Sequence, residues 1–449
     1  LPCKRGGVPP HLNRMNEAKY KKLVLVKPPE RSAVDFGAFS MAVLAAAVRH
    51  ITDVTVIDAT DMTPAHAVER VWALKPDLVG ITLMGLPSVP PGTAFIGELL
   101  TGGPPGFPII VGGHGAALIP GTLLEAGADG VVIGEGENTL REIIQKGITP
   151  GMAGTAVRVD GRVIIGPPQT LISPLDDLER PARDLIPSPG DGIHLMETSR
   201  GCPHRCAFCE TTRFFGVRWR PHSAERVVEE VRRIIDEYDG WMIHVADDNF
   251  TASSRRIKKI CERLIKEDIL PAYFMFSARA DDLISDPELL PAMARARMLR
   301  VQVGIDTLDS DVGRSVEKTI SIDTYRKAFD RMRELGMFSV GSLIVGLPGE
   351  SAEARERAVE LAVRAGPDSA HFLPYLPLPG LPREERHTGF DPHPGDVTDS
   401  RAFTSAFLLH PEVRARLDIL ARGEDIQGQL ARGTLQKIRE REKRAQPAE

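Results

Sequence analysis

Three of the chain's five cysteines fall within eight positions, in the run Arg200-Gly201-Cys202-Pro203-His204-Arg205-Cys206-Ala207-Phe208-Cys209. Thiolates are soft, anionic ligands, and CxxxCxxC spacing directly after an expected strand gives a loop tight enough to wrap one iron–sulfur cluster. Three ligands on a four-iron cluster leave one iron open to a substrate or cofactor, and that opening is the chemical point. Zinc would need a fourth ligand; His204 is on hand, yet adjacent cysteine and histidine ligands in so short a loop are sterically awkward. Three unrelated buried cysteines is a weaker reading, because the other two, Cys3 and Cys261, are scattered and read as bystanders. Five cysteines form no disulfide framework, and their crowding points to a reducing compartment and a metal.

The elements that must position this loop show in the hydrophobic rhythm. At 449 residues the chain exceeds one usual core, so two or three domains are expected. From 22 to 150, short β-branched runs such as KLVLV (22–26), DVTVID (53–58), DLVGIT (77–82), PIIVGG (108–113) and GVVIGEG (130–136) alternate with amphipathic stretches. That rhythm predicts a doubly wound, five-stranded parallel sheet with helices on both faces. Between 151 and 190, TAVRVDGRVIIG (155–166) predicts a hairpin turning at Asp160-Gly161, and the Pro-rich stretch after it reads as a surface linker. From 191 to 380 six further strands alternate with helices: 193–199, 241–246, 272–279, 300–306, 338–346 and 369–375. Six units are too few to close an eight-fold barrel, so a partial (β/α)6 barrel is expected, with its site at the carboxyl strand ends. Residues 381–449 read as a charged helical region. The fold class is therefore α/β.

The 26% charged residues nearly cancel, to a net −5, leaving no field to recruit nucleic acid or an anionic membrane. No long apolar run suggests a spanning helix, and the first 21 residues lack a signal-peptide core. A soluble, cytoplasmic protein is expected.

The CxxxCxxC run with Phe208 before its last cysteine resembles the signature of the radical S-adenosylmethionine superfamily, over about residues 193–380. The resemblance implies a [4Fe-4S] cluster on Cys202, Cys206 and Cys209 whose open iron is chelated by S-adenosylmethionine, reductively cleaved to a 5′-deoxyadenosyl radical with an external flavodoxin- or ferredoxin-type electron donor. It also implies cofactor contacts at later strand ends. Asp247 and Asp248, in the run through Phe250, match the segment that meets the methionine amino group, although an Asx turn opening a helix accounts for them equally. Ser277 and Arg279 approach the carboxylate in similar enzymes, where Arg suits bidentate pairing; a surface ion pair is the alternative. Asp306 stands where relatives often carry Glu. The run from Gly341 through Ile344 to Glu350 is similar to a segment packed on adenine, its glycines letting backbone approach a flat ring. Pro374, Tyr375, Pro377, Pro379 and Gly380 echo a PxPG ending, with Leu381 in place of the usual Thr.

The front domain, through KPDLVGIT (75–82), VGGHGAALIP (111–120) and DGVVIGEGE (129–137), resembles the cobalamin-binding domain that precedes the radical domain in one class of that superfamily. By that resemblance Met84, Gly85 and Leu86 lie beneath the corrin, and Gly112, Gly113, His114, Gly134, Glu135 and Gly136 line its site. His114 is equally readable as a solvated loop histidine. A DxHxxG sequence is lacking; the nearest candidate, Asp391-Pro392-His393, falls in the wrong domain, so no histidine is expected to ligate cobalt.

Together the resemblances imply a cobalamin-dependent radical methyltransferase that carries a methyl group from S-adenosylmethionine, via methylcobalamin, to a carbon of a small, natural-product-like molecule. No residue is assigned as catalytic beyond the cofactor ligands. A radical cyclase or rearrangement enzyme is the alternative. A methylthiotransferase acting on tRNA or protein is opposed by the acidic balance and by the lack of a second three-cysteine set.

Overall fold

In the computed structural model, which describes residues 18–30, 37–189, 192–378 and 394–445, the chain forms two compact units, Leu1–Ser188 and Pro189–Glu449. Pro379, Gly380, Leu381, Cys3 and Asp391-Pro392-His393 lie outside the described residues.

The first unit is built on one sheet. Its strands β1 (Lys22–Lys27), β2 (Asp53–Asp58), β3 (Leu78–Thr82), β4 (Ile109–Gly112) and β5 (Gly130–Val132) run parallel in the order 2-1-3-4-5. Their apolar runs are buried on both faces, as a helix-covered parallel sheet requires. The direction of strand addition reverses between β1 and β3, so the crevice for a ligand opens at the carboxyl ends of these strands. The hairpin extends this sheet to seven strands: β6 (Thr155–Val159) pairs antiparallel with β5, and β7 (Arg162–Ile165) with β6. Asp160 and Gly161 both take positive φ, 48° and 77°, as a tight two-residue turn needs.

The stretch expected as a surface linker is strapped to this unit. Leu175 and Ala182 are buried, the Ala182 amide donates to the Ala42 carbonyl (2.9 Å), and Arg49 forks onto Asp184 (2.9 and 2.8 Å). Ala42 and the residue before Arg49 belong to α1 (Phe39–Val48), whose small side chains let the strap lie close. Aperiodic sequence hides such packing, because its few apolar anchors follow neither helical nor strand spacing.

The second unit holds six parallel strands added in sequence order: β8 (Ile193–Met196), β11 (Met242–Val245), β12 (Tyr273–Ala278), β13 (Arg300–Asp306), β14 (Phe338–Val345) and β15 (Ser369–Pro374). Between β8 and β11 lies a short antiparallel pair, β9 (Ser199–Arg200) with β10 (Arg220–Pro221). Serines 223, 253, 321 and 351 cap four of the connecting helices by accepting the amide three residues on, worth about 1 kcal/mol each. Gly336, at φ 73°, follows the end of the third of these.

The C-terminal helices are part of this unit's core. Phe407, Val413, Leu417, Ala431, Leu435 and Ile438 are buried in it, and Thr404 accepts the Phe372 amide of β15 (3.0 Å). They cover the sheet's last strand, which would otherwise expose an edge of unpaired backbone groups. Among the described residues no helix is long and apolar enough to cross a membrane.

Candidate functional site

The cysteine loop is held at both ends from β11. Asp247, just past that strand and buried, accepts the Thr198 amide and hydroxyl and the Ser199 hydroxyl, each at 2.6 Å. Burial pushes its carboxyl above the ordinary range, and these hydrogen bonds oppose that shift. Asp248 accepts the Gly201 amide (3.0 Å) with one oxygen and the Thr211 hydroxyl (2.5 Å) with the other. It therefore ties the residue before Cys202 to the first turn of α7 (Glu210–Phe215), just past Cys209. Gly201 sits at φ 79°, and a side chain there would press to 2.0 Å from the Arg218 carbonyl oxygen. Only glycine lets the chain enter the loop along this path.

Within the loop all three thiols are half-buried. Burial pushes the Cys202 thiol up to about 11, and the charges of Cys209, Asp248 and Cys206 add to the shift. Cys206 is also raised by burial, while Lys318 and Arg279 pull it back. Bare, Cys202 and Cys206 favour the protonated thiol chiefly because they are half-buried; the cationic iron of a bound cluster would reverse that balance. Among the described residues no three His, Cys, Asp or Glu side chains close on a single ion. A cubane spreads its sulfur ligands wider than one ion does, and the donor set of three soft thiolates suits it.

Around the thiols the later strand ends bring together several expected residues. Phe208 and Ile344 both pack on an apolar cluster of Val312, Val316, Leu347 and Tyr375, and the Ala207 amide donates to the Val316 carbonyl (3.1 Å). Arg279 forks onto Asp281 (3.0 and 2.8 Å) and leaves Nη1 3.9 Å from Cys206 Sγ. Ser277 is half-buried one residue before the end of β12. Asp306, at φ 61° beside a bulge in β13, is ion-paired with the buried Lys318, which also donates to the Gly304 carbonyl (2.8 Å). Pro374 ends β15 opposite Val345, and the Tyr375 amide continues the pairing (2.8 Å).

Gly341 lies within β14. The space over its α-carbon belongs to Ile305 and Pro367, 2.8 and 3.2 Å from an ideal Cβ, so glycine there lets the sheet pack closely. Lys318, Thr198 and Thr211 were missed from sequence: each acts through a partner 12 to 49 residues away, and none stands in a periodic pattern.

In the first unit the expected residues share the carboxyl edge of β3, β4 and β5. The loops after β3 and β4 touch backbone to backbone: a Cβ on Gly113 (φ 103°) would lie 2.3 Å from the Leu83 oxygen, and one on Gly115 2.3 Å from the Gly85 oxygen. Met84, Gly85, Gly112, Gly113, His114, Gly134 and Gly136 are half-buried, and the space over Gly134 (φ 87°) is open. A low, glycine-lined rim of this kind fits a broad planar ligand such as a corrin. Leu86, beside Met84 and Gly85, is fully buried. Glu135 is buried too, and its carboxylate accepts the Ile172 amide (2.8 Å), anchoring the strap.

Comparison with known proteins agrees with both units. The pattern describing the radical SAM superfamily matches residues 196–362, and that of the B12 binding domain matches residues 30–144. An uncharacterized methyltransferase of Pyrococcus horikoshii is 31% identical over 81% of this chain and 82% of its own length. An anaerobic magnesium-protoporphyrin IX monomethyl ester cyclase of Rubrivivax gelatinosus is 27% identical over 73% of this chain, which spans 62% of that relative. The solved structure of the radical S-adenosylmethionine methyltransferase TsrM from Kitasatospora setae shares the fold, with a TM-score of 0.66, 19% identity and coverage of 79% and 73%. The chain belongs to the radical S-adenosylmethionine superfamily. Within it, the B12 binding domain and the methyltransferase relatives mark a cobalamin-dependent radical SAM methyltransferase, whose cofactors are a [4Fe-4S] cluster, S-adenosylmethionine and cobalamin.

Proposed function

We propose that this enzyme transfers a methyl group from S-adenosylmethionine, by way of cobalamin, to a carbon of a small molecule. The observation that carries the reading is the pairing, in one chain, of a three-thiol loop at the strand ends of a parallel sheet with a glycine-rimmed crevice in a second one. When bound, the cluster supplies the electron that cleaves the sulfonium, and cobalamin carries the methyl group.

The chain's own groups hold and orient. Cys202, Cys206 and Cys209 anchor the cluster, and Asp248 fixes the loop's two ends. Arg279, beside Cys206, offers a cation to a carboxylate brought to the open iron. The apolar surface of Phe208, Ile344 and Tyr375 suits a flat base and excludes water from the cleavage step. Met84 and Gly85 would lie against the corrin, which would supply the carrier of the methyl group. An external flavodoxin- or ferredoxin-type protein supplies electrons, and small size is the proposed property of the substrate.

The test uses anaerobically reconstituted enzyme, a chemical reductant, S-adenosylmethionine with a deuterated methyl group and a small-molecule extract. The expected result is 5′-deoxyadenosine and S-adenosylhomocysteine together, with label in an extracted product. The likeness to a cyclase favours a second reading, ring formation by the adenosyl radical. That reaction gives 5′-deoxyadenosine and no label in the product, which would overturn the first.

A further inference from the structure

The loop that leaves β14 is held from outside the strand–helix repeat. Gly346 takes φ 90°, and its amide donates to Glu350 Oε2 (2.8 Å). Where its side chain would be lies a carboxylate: an ideal Cβ on Gly346 falls 2.1 Å from Asp396 Oδ2. Asp396 belongs to the first turn of α15 (Pro394–Leu409), in the C-terminal region, and is 4% exposed. One cation joins the parts. Arg355, in the first turn of α14 (Ala352–Ala365), lies 3.1 Å from Glu350, 3.1 Å from Asp396 and 3.1 Å from the half-buried Asp399. Burial raises the Glu350 carboxyl, and the charge of Asp396 adds to it. Without the guanidinium the two buried carboxylates would repel, and the helix would part from the loop.

The same helix is fixed to β15 through Thr404 and Phe372, so it cannot follow the loop freely. On either side of Gly346 in sequence, Ile344 near the end of β14 and Leu347 in the loop belong to the apolar cluster with Phe208 of the cysteine loop. The carboxylate of Asp396 thus abuts the backbone between two residues of that apolar cluster.

We propose that Asp396, acting through Arg355 and Glu350, is a positioning residue that sets the Gly346–Glu350 loop for S-adenosylmethionine, making the C-terminal helices a working part of that cofactor site. This rests on the reading that Ile344 and its neighbours meet S-adenosylmethionine. Arg355 hydrogen-bonds Glu350 and is ion-paired with Asp396, so loss of either link bears on affinity more than on the chemical step.

The experiment measures binding of radiolabelled S-adenosylmethionine to the anaerobically reconstituted full chain by equilibrium dialysis. The variants are Asp396→Asn, Arg355→Leu, Arg355→Lys and Ile344→Ala, each with iron content, reduced-cluster EPR and a thermal melt. Asp396→Asn and Arg355→Leu are expected to weaken binding about tenfold. Iron content and the EPR signal before S-adenosylmethionine is added should stay as in wild type. Arg355→Lys should recover part of the loss, and 5′-deoxyadenosine formation should return at saturating S-adenosylmethionine. If Ile344→Ala weakens binding while Asp396→Asn and Arg355→Leu bind normally, the inference falls and the site reading stands. Normal binding in all the variants overturns both. Should Arg355→Leu not fold, Asp396→Asn, which removes charge without volume, carries the test.

Discussion

Asp248 accepts one hydrogen bond from each side of the cysteine loop, so its loss should act on metal retention before it acts on folding. Asp248→Ala is expected to keep a melting temperature within a few degrees of wild type, since the residue itself is exposed, but to lose about half or more of its iron on gel filtration. Iron retained at the wild-type level would show that the loop holds itself. His244, on β11, makes a separate prediction. Burial and the Arg300 cation push its imidazole down to about 4. Between that value and the ordinary 6.5 the unfolded chain binds a proton that the folded one refuses, so stability falls as pH drops from 7 to 5. One such site contributes at most about 1.4 kcal/mol per pH unit. Urea unfolding of His244→Gln at pH 7 and pH 5 should show a shallower loss than wild type; an equal loss would contradict this. At this scale the sequence was legible where chemistry is local, as in the spacing of Cys202, Cys206 and Cys209. Lys318, which joins Asp306 beside Cys206, could not be found that way, because only the fold brings it there.

Among the elements, strands and helices followed their hydrophobic periods, and the serine caps stood where the patterns begin. What the period could not show was the destination of an edge. The hairpin 155–165 joins the first sheet because β5 would otherwise leave an unpaired flank, and sequence alternation says nothing about partners. Sequence is also silent on packing at Leu86 and Gly341: a residue type permits a ligand contact, but neighbours decide which space is already filled. The backbone-on-backbone contact of the loops after β3 and β4 yields a prediction for this level. Gly113→Ala combines a φ of 103° with a clash against the Leu83 oxygen, and should cost at least 1–3 kcal/mol in the first unit. It should also lower corrinoid per chain after incubation with hydroxocobalamin, with iron unchanged; full corrinoid content would remove that rim from the site.

For the molecule as a whole, length and rhythm suggested two or three domains; the chain divides into two compact units, and the C-terminal region, read as helical and charged, packs into the core of the second. Its apolar residues are spread over three helices and make sense only against the core of this unit. The central claim is that the three-thiol loop holds a four-iron cluster whose open iron takes S-adenosylmethionine. It is tested most directly by the EPR spectrum of the reduced, anaerobically reconstituted chain, recorded before and after S-adenosylmethionine is added. A [4Fe-4S] signal that shifts on addition, and that is lost in Cys206→Ala, is the predicted result. A signal indifferent to S-adenosylmethionine, or one that survives in Cys206→Ala with its iron intact, would contradict the account.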